Sequence, residues 1–313
     1  MPKGDVPGDW YSTTQPFPTK PPAYDRPGVT ADDLIDFTPE LRKKALEVAS
    51  WHKLGPLYTP PVVSKIDGPL GTLMAPSQDG GTNWPGGSFD PETGILYVAS
   101  GGSVVSKGLI APLPGQSEMA YVEGNAVTGP RTSGGSGSSA GGGRSEFQGA
   151  PTKRPTPSDP ARGEPKVALS VDGLPLLKPP YGSISAIDMS RGEILWKIAH
   201  GETPDDIRNH PLLKGLDIPR TGQAGVPAPG QLVTKTLLIA GERLYTTTRS
   251  GELGAMLRAY DKASGREVGA VYMPAPQSGS PMTYLYRGEQ YLVVAISGAQ
   301  YSGELLAFKL PKR

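Results

Sequence analysis

AIDMSRGEILW, residues 186–196, is two strand-forming runs joined by a tight turn, with Asp188 standing four residues before Gly192. The same frame recurs in SFDPETGILYV (88–98), with Asp90 and Gly94, and in AYDKASGREVG (259–269), with Asp261 and Gly265. The chemistry is local. An aspartate can accept hydrogen bonds from the backbone of its own turn, and glycine supplies a positive φ without a Cβ clash. Each copy therefore predicts a β-hairpin, and an internal repeat outweighs any single motif as a sign of architecture.

Working outward, LVTKTLLIAGERLYTTT (232–248) and PMTYLYRGEQYLVVAIS (281–297) read as further strand pairs, the second turning at Arg287–Gly288, and ELLAFKL (304–310) reads as a last strand. About eleven short antiparallel strands result, enough for about three four-stranded blades of a β-propeller. Three blades cannot close a ring, so the reading is all-β, a partial propeller whose end blades keep unpaired edges. Such edges predict self-association or loose packing when the chain stands alone.

The rest of the sequence frames these repeats. Residues 1–29 hold seven prolines and no apolar period, and are expected to lie extended over a surface as a connector. DFTPELRKKAL signals the one sizeable helix: Thr38 as N-cap, Pro39 in the first turn, then Leu41, Ala45, Val48 and His52 on one face, with Gly55 as a stop. Residues 30–102 thus read as helix plus first propeller segment. Residues 103–180, with TSGGSGSSAGGG and PTKRPTPSDPARGEP, read as a low-complexity, mostly mobile insertion, and 181–313 as the remaining blades.

Composition narrows the function. Of 313 residues, 31 are Lys or Arg and 30 Asp or Glu, with no basic stripe, which argues against nucleic acid as a partner. No apolar run reaches the roughly 18 residues of a membrane span, and the opening MPKGDVPGDW lacks the pattern of a signal peptide. There is no cysteine, which excludes disulfides and thiolate metal sites. The three histidines, His52, His200 and His210, lack metal-ligand spacing and read as surface or polar-core residues. GSGSSAG (135–141) fits a dinucleotide pattern formally, but it follows no strand and opens no helix, so it reads as linker. There is no Walker loop, nucleophile elbow or Cys–His pair.

TQPFPTKPP (14–22), DFTPELRKKAL (36–46), GPLYTPP (55–61), GGTNWPGGSFDPETGILYV (80–98), PPYGSISAIDMSRGEILWKI (179–198), LLIAGERLYTTT (237–248) and GSPMTYLYRGEQYLVVAISG (279–298) together resemble the pyrroloquinoline quinone (PQQ)-dependent dehydrogenases of the glucose and alcohol type. The resemblance implies an eight-bladed quinoprotein propeller with bound calcium, in the periplasm. Its axial quinone would take a hydride equivalent from a sugar or alcohol. It also implies that Trp196 docks flat between blades, a contact that Gly269 weakens in the later copy.

In this family the GGxNW loop faces the quinone, which makes Asn83 a hydrogen-bond donor to the cofactor and Trp84 part of the same wall. Tyr181 stands where many members carry Trp, and wall packing suits it better than catalysis. The other reading, a turn-capping Asn83 with Trp84 packed between blades, stays open on sequence alone. The family's catalytic Asp, calcium ligands and stacked Trp belong to blades preceding the part this chain resembles. No catalytic or metal residue is therefore assigned, and the chain alone is expected to be inactive. Two classes remain: the C-terminal segment of a quinoprotein dehydrogenase, completed by N-terminal blades or a second chain, and a non-catalytic propeller module that assembles with itself or a partner.

Overall fold

The three repeated hairpins form as their spacing dictates. In the computed structural model, which describes residues 1–78, 80–127, 168–224, 229–298 and 301–310, Gly94, Gly192 and Gly265 take φ of 70°, 64° and 73°. Their N–H groups donate to the carbonyls of Asp90, Asp188 and Asp261 at 2.9, 2.7 and 2.8 Å. The aspartate side chains close the turns: Asp90 accepts Thr93 Oγ1, Asp188 accepts Ser190 Oγ and Asp261 accepts Ser264 Oγ, each at 2.6 Å.

The three hairpins fall in the first two of three antiparallel sheets. In the first, Gly87–Asp90, Ile95–Gly101, Gly182–Asp188 and Glu193–Ala199 lie side by side. The second runs Gln231–Val233, Leu237–Gly241, Leu253–Asp261, Glu267–Met273, with Thr246–Thr247 also pairing the long strand. The third has Met282–Tyr286, Glu289–Gly298 and Tyr301–Lys309. Arg287 and Gly288 turn its first hairpin with φ of 50° and 76°, the two consecutive positive values of a twist-matched hairpin turn.

Apolar faces stack the sheets in sequence. Tyr97, Ala99, Ile184 and Ala186 of the first meet Leu238, Ala240 and Tyr260 of the second. Ala255, Leu257 and Met273 of the second meet Val294 and Ile296 of the third. The opposite face of the third sheet is open: Val293 pairs with Met282, Tyr291 with Tyr284, and Ala295 with Leu305, where Met282 is 52% and Leu305 73% exposed.

A separate lobe surrounds the helix Pro39–Ala49, whose N-cap Thr38 accepts the Leu41 N–H at 3.2 Å. Leu41, Ala45 and Ala49 are buried among Leu34, Ile35, Leu73, Val171, Leu174 and Leu176. A short second helix, Asp205–Arg208, follows the first sheet.

The span 103–180, expected as a mobile insertion, is structured at both flanks. Val105–Ile110 is a strand pairing Thr72–Met74, and Leu174, Leu176 and Leu177 sit in the lobe core. The apolar residues of these flanks were outweighed, in the sequence, by the Gly- and Pro-rich stretch between them. Its centre, 128–167, including GSGSSAG, lies outside the described residues. The first sheet draws strands from both sides of this span, because Gly182–Asp188 pairs with Ile95–Gly101.

His200 and His52 are buried. His200 Nδ1 lies 2.9 Å from Tyr260 Oη and Nε2 lies 3.2 Å from the Gly241 carbonyl, while His52 Nδ1 is 3.1 Å from Ser106 Oγ. Burial pulls the pKa of each imidazole from 6.5 to about 4. An unfolded histidine gains its proton near pH 6.5, whereas the folded one stays neutral until about 4, so stability falls as pH drops through that window. Denaturant midpoints between pH 7 and 4.5 should show a loss on the order of 3 kcal/mol from His200. His200→Gln should remove its share of that slope and leave the part due to His52, and an unchanged slope would remove His200 as a cause.

Candidate functional site

The loop following Gly80 is pinned to one end of the first sheet. Gly101 N–H donates to Gly81 O at 2.9 Å, and Thr82 Oγ1 donates to Ala99 O at 2.7 Å. At the same end, Gly102 N–H donates to Tyr181 O at 2.9 Å, and Tyr181 N–H donates to Thr221 O at 2.8 Å. Close approach requires glycine here: a Cβ on Gly182 would stand 2.1 Å from Gln223 O. Residues far apart in sequence are thereby gathered at one sheet end, opposite to the Asp–Gly turns.

Of the sequence-derived site residues, Asn83 and Trp84 sit at the exposed tip of this loop. Asn83 O accepts the Gly86 N–H at 2.8 Å, and Asn83 Oδ1 accepts the Trp84 N–H at 2.8 Å. What the side chain keeps for a ligand is its N–H2 group. Trp84 is 95% exposed, so it does not pack between sheets among the described residues. Tyr181 differs: it is 4% exposed and belongs to the lobe core.

Beside Tyr181 opens a small polar cleft with Asp25, Arg26, Ser100, Ser183 and Lys197 in its walls. Asp25 and Arg26 come from the proline-rich N-terminal segment, which crosses the outer side of the first sheet. Lys197 Nζ donates to Tyr24 O at 2.7 Å, Ser100 Oγ donates to Asp25, and Arg26 Nη2 donates to Lys178 O at 2.5 Å. Sequence reading passed over these residues, since a charged pair inside a Pro-rich connector carries no periodic signal.

The second concentration of charge is buried. Arg258, 4% exposed, donates from Nε to Glu242 Oε1 at 2.8 Å and from Nη1 to both Glu267 oxygens at 3.0 Å; Glu242 is fully buried. Glu202 and Arg220 complete the network, Arg258 Nη2 reaching Glu202 Oε2 at 3.4 Å. Its charges satisfy one another, which suits a structural clamp between the second sheet and the segment after the first. Among the described residues no group of three or more His, Cys, Asp or Glu could hold a metal ion. Nor is any described helix long and apolar enough to cross a membrane.

Comparison with known proteins adds three findings. The family model described as PQQ, "Glucose/ethanol/alcohol dehydrogenase, beta-propeller domain", matches residues 1–292. The chain is 27% identical to the quinate/shikimate dehydrogenase (quinone) of Acinetobacter baylyi over 98% of its length and 34% of the relative's. It is also 27% identical to the quinoprotein glucose dehydrogenase of Escherichia coli, over 99% of its length and 35% of that protein. It thus spans about a third of the length of the curated relatives it matches. Among solved structures, the quinohemoprotein alcohol dehydrogenase of Comamonas testosteroni aligns with a TM-score of 0.38 at 17% identity, over 76% of this chain and 28% of that one.

Proposed function

Because the chain belongs to the PQQ glucose/ethanol/alcohol dehydrogenase β-propeller family, we propose that it is the C-terminal portion of a periplasmic PQQ-dependent dehydrogenase acting on a sugar or alcohol. PQQ is its cofactor by family. When bound, the quinone accepts a hydride equivalent from the substrate carbon; the protein supplies position and electrostatics. The observation that carries the reading is the gathering of the GGTNWPGG loop and Tyr181 at one end of the first sheet.

The residues fit an anionic tricyclic ligand. Asn83 offers an amide N–H2 and Trp84 an exposed flat indole, while Tyr181, buried in the lobe core, packs beside the same sheet end and presents no surface to a ligand. Calcium is a different matter: among the described residues no group of three or more His, Cys, Asp or Glu gathers, and on this reading its ligands belong to the blades that would complete the propeller. The catalytic base is placed there as well, so turnover by this chain alone is not expected.

The open face of the third sheet, with Met282, Tyr284 and Leu305, supports docking of further propeller blades or a second chain. The same face favours the second reading, a non-catalytic module that pairs through this surface.

The test is Asn83→Ala in a protein that joins this chain to the N-terminal blades. Loss of one hydrogen bond to a charged ligand should weaken PQQ binding by roughly 1.5 to 3 kcal/mol with little change in melting temperature. A lowered melting temperature with unaltered PQQ affinity would return Asn83 to the role of turn cap.

A further inference from the structure

We propose that Gln231 is a positioning residue for the loop that carries Asn83 and Trp84: its buried amide takes the place of a strand partner at Ala99 and holds that loop against the first sheet. Gln231 opens the strand Gln231–Val233 and pairs with Ala240, on the apolar face by which the second sheet meets the first. It is 7% exposed. A polar side chain buried on such a face is costly unless its hydrogen bonds are met.

The bonds go to the edge of the first sheet. Gly87–Asp90 pairs with residues 95–98 and no further, so Ala99 and Gly101 have no strand beside them on that side. Three other groups complete the ladder. With its amide turned so that both atoms are satisfied, Gln231 accepts the Ala99 N–H at 2.7 Å and donates to Tyr97 O at 3.2 Å. Thr82 Oγ1 donates to the Ala99 carbonyl at 2.7 Å, and the Gly81 carbonyl accepts the Gly101 N–H at 2.9 Å. Gln231 and the loop thus share one residue, Ala99, which is 1% exposed. Without the amide, the Ala99 N–H is left buried and unpaired beside the bond that Thr82 makes.

Two further contacts fix Gln231 itself. Its carbonyl accepts Ser88 Oγ at 2.8 Å, which ties it to the strand that follows the loop. Gln277 then repeats the device one sheet further on: 7% exposed, it accepts the Gly241 N–H on Oε1 at 2.6 Å and donates from Nε2 to the carbonyl of Gly230, the residue before Gln231, at 2.7 Å. Because the Gln231 amide is committed to strand backbone, it acts on a ligand only through the loop. Its influence on PQQ therefore rests on the reading of Asn83 and Trp84 as ligand residues, whereas its hold on the loop does not.

Backbone amide exchange in the full chain, read by NMR, tests the hold without any cofactor. In Gln231→Leu, Gly101 N–H should exchange at least about tenfold faster as the loop opens, with the turn amides of Gly192 and Gly265 unchanged. In the protein joined to N-terminal blades, the same change should weaken PQQ binding at least about tenfold. Gln231→Glu, of the same shape, keeps the acceptor for Ala99 and loses the donor to Tyr97 O, and it should move both readouts the same way if the leucine variant does not fold. Trp196→Ala is the comparator, since it weakens the joint between the same two sheets without touching the Ala99 edge; Gly101 exchange and PQQ affinity should stay at the parent's values. The proposal is overturned by unchanged Gly101 exchange in the Gln231 variants, by unchanged PQQ affinity where exchange is faster, or by equal effects in Trp196→Ala. A joined parent that binds no PQQ would count against the quinone reading, and Gly101 exchange would then decide the role of Gln231 by itself.

Discussion

Replacing Arg258 by methionine should cost about 3–5 kcal/mol, because it strands buried carboxylates. Glu242 is fully buried, and its Oε1 takes two bonds from this guanidinium, at 2.8 and 2.6 Å. After the change it keeps only backbone donors: Met256 N–H at 3.0 Å and Glu202 N–H at 2.8 Å. Glu267 would retain Arg220 at 2.5 Å and lose both bonds from Arg258. The destabilisation comes from uncompensated charge, and the net contribution of the intact network to stability is smaller. Urea unfolding should show the loss directly, with a melting temperature lower by roughly 10 °C. Adding Glu242→Leu should restore a large part of it. If Arg258→Met costs under about 1 kcal/mol, the carboxylates have reached solvent or protons, and the clamp is not what ties the segment after the first sheet to the second.

The sequence discloses these features unequally. Hairpins are local: Asp188 and Gly192 lie within one turn, and the same four-residue interval marks Asp90–Gly94 and Asp261–Gly265, so all three are legible without knowing what they pack against. The helix is legible for the same reason, its cap, its proline and its buried face falling within a dozen residues. The Arg258 network is not legible, because Glu202 and Glu242 stand 56 and 16 positions away, and a lone arginine in a strand pattern reads as an exposed residue. The cleft beside Tyr181 is hidden twice over. Asp25 lies in an aperiodic segment, and Ser183 is distinguished only by its register against Ser100. The edges of the low-complexity span were obscured by composition: Val171, Leu174 and Leu176 are a short apolar group beside a long polar stretch, and only the lobe core that receives them reveals their role. Family resemblance marks the Asn83 loop, while the exposure of Trp84 is a tertiary fact that no pattern in the loop encodes.

Trp196→Ala should remove about 3–5 kcal/mol and act on the joint between the first and second sheets. The indole lies 5.7 Å from the Tyr97 ring and donates from Nε1 to Lys262 O at 3.2 Å. Tyr97 Oη donates to the same carbonyl at 3.1 Å, and Lys262 Nζ reaches Asp90 Oδ2 at 2.6 Å, so one turn of the second sheet holds three residues of the first. That turn admits the indole because it carries Gly265. A Cβ there would stand 2.8 Å from Trp196 Cε3. The later copy confirms the geometry by its lack: Gly269 occupies the place of Trp196, opposite Ala259 as Trp196 is opposite Ala186, and nothing lies within 4 Å of a Cβ built on it. Two contributions at Gly265 can be separated. Gly265→Ala in the parent pays both the positive φ of 73° and the collision, whereas in Trp196→Ala it pays only the backbone cost, about 1 kcal/mol. A double-mutant cycle by urea unfolding should therefore give a coupling of roughly 0.5–3 kcal/mol, the pair costing less than the sum of the singles. Strict additivity would mean that the indole does not rest on the Gly265 turn, leaving the joint to the apolar cluster around Tyr97, Ile184, Leu238 and Tyr260 and to the Lys262 contacts with Tyr97 and Asp90.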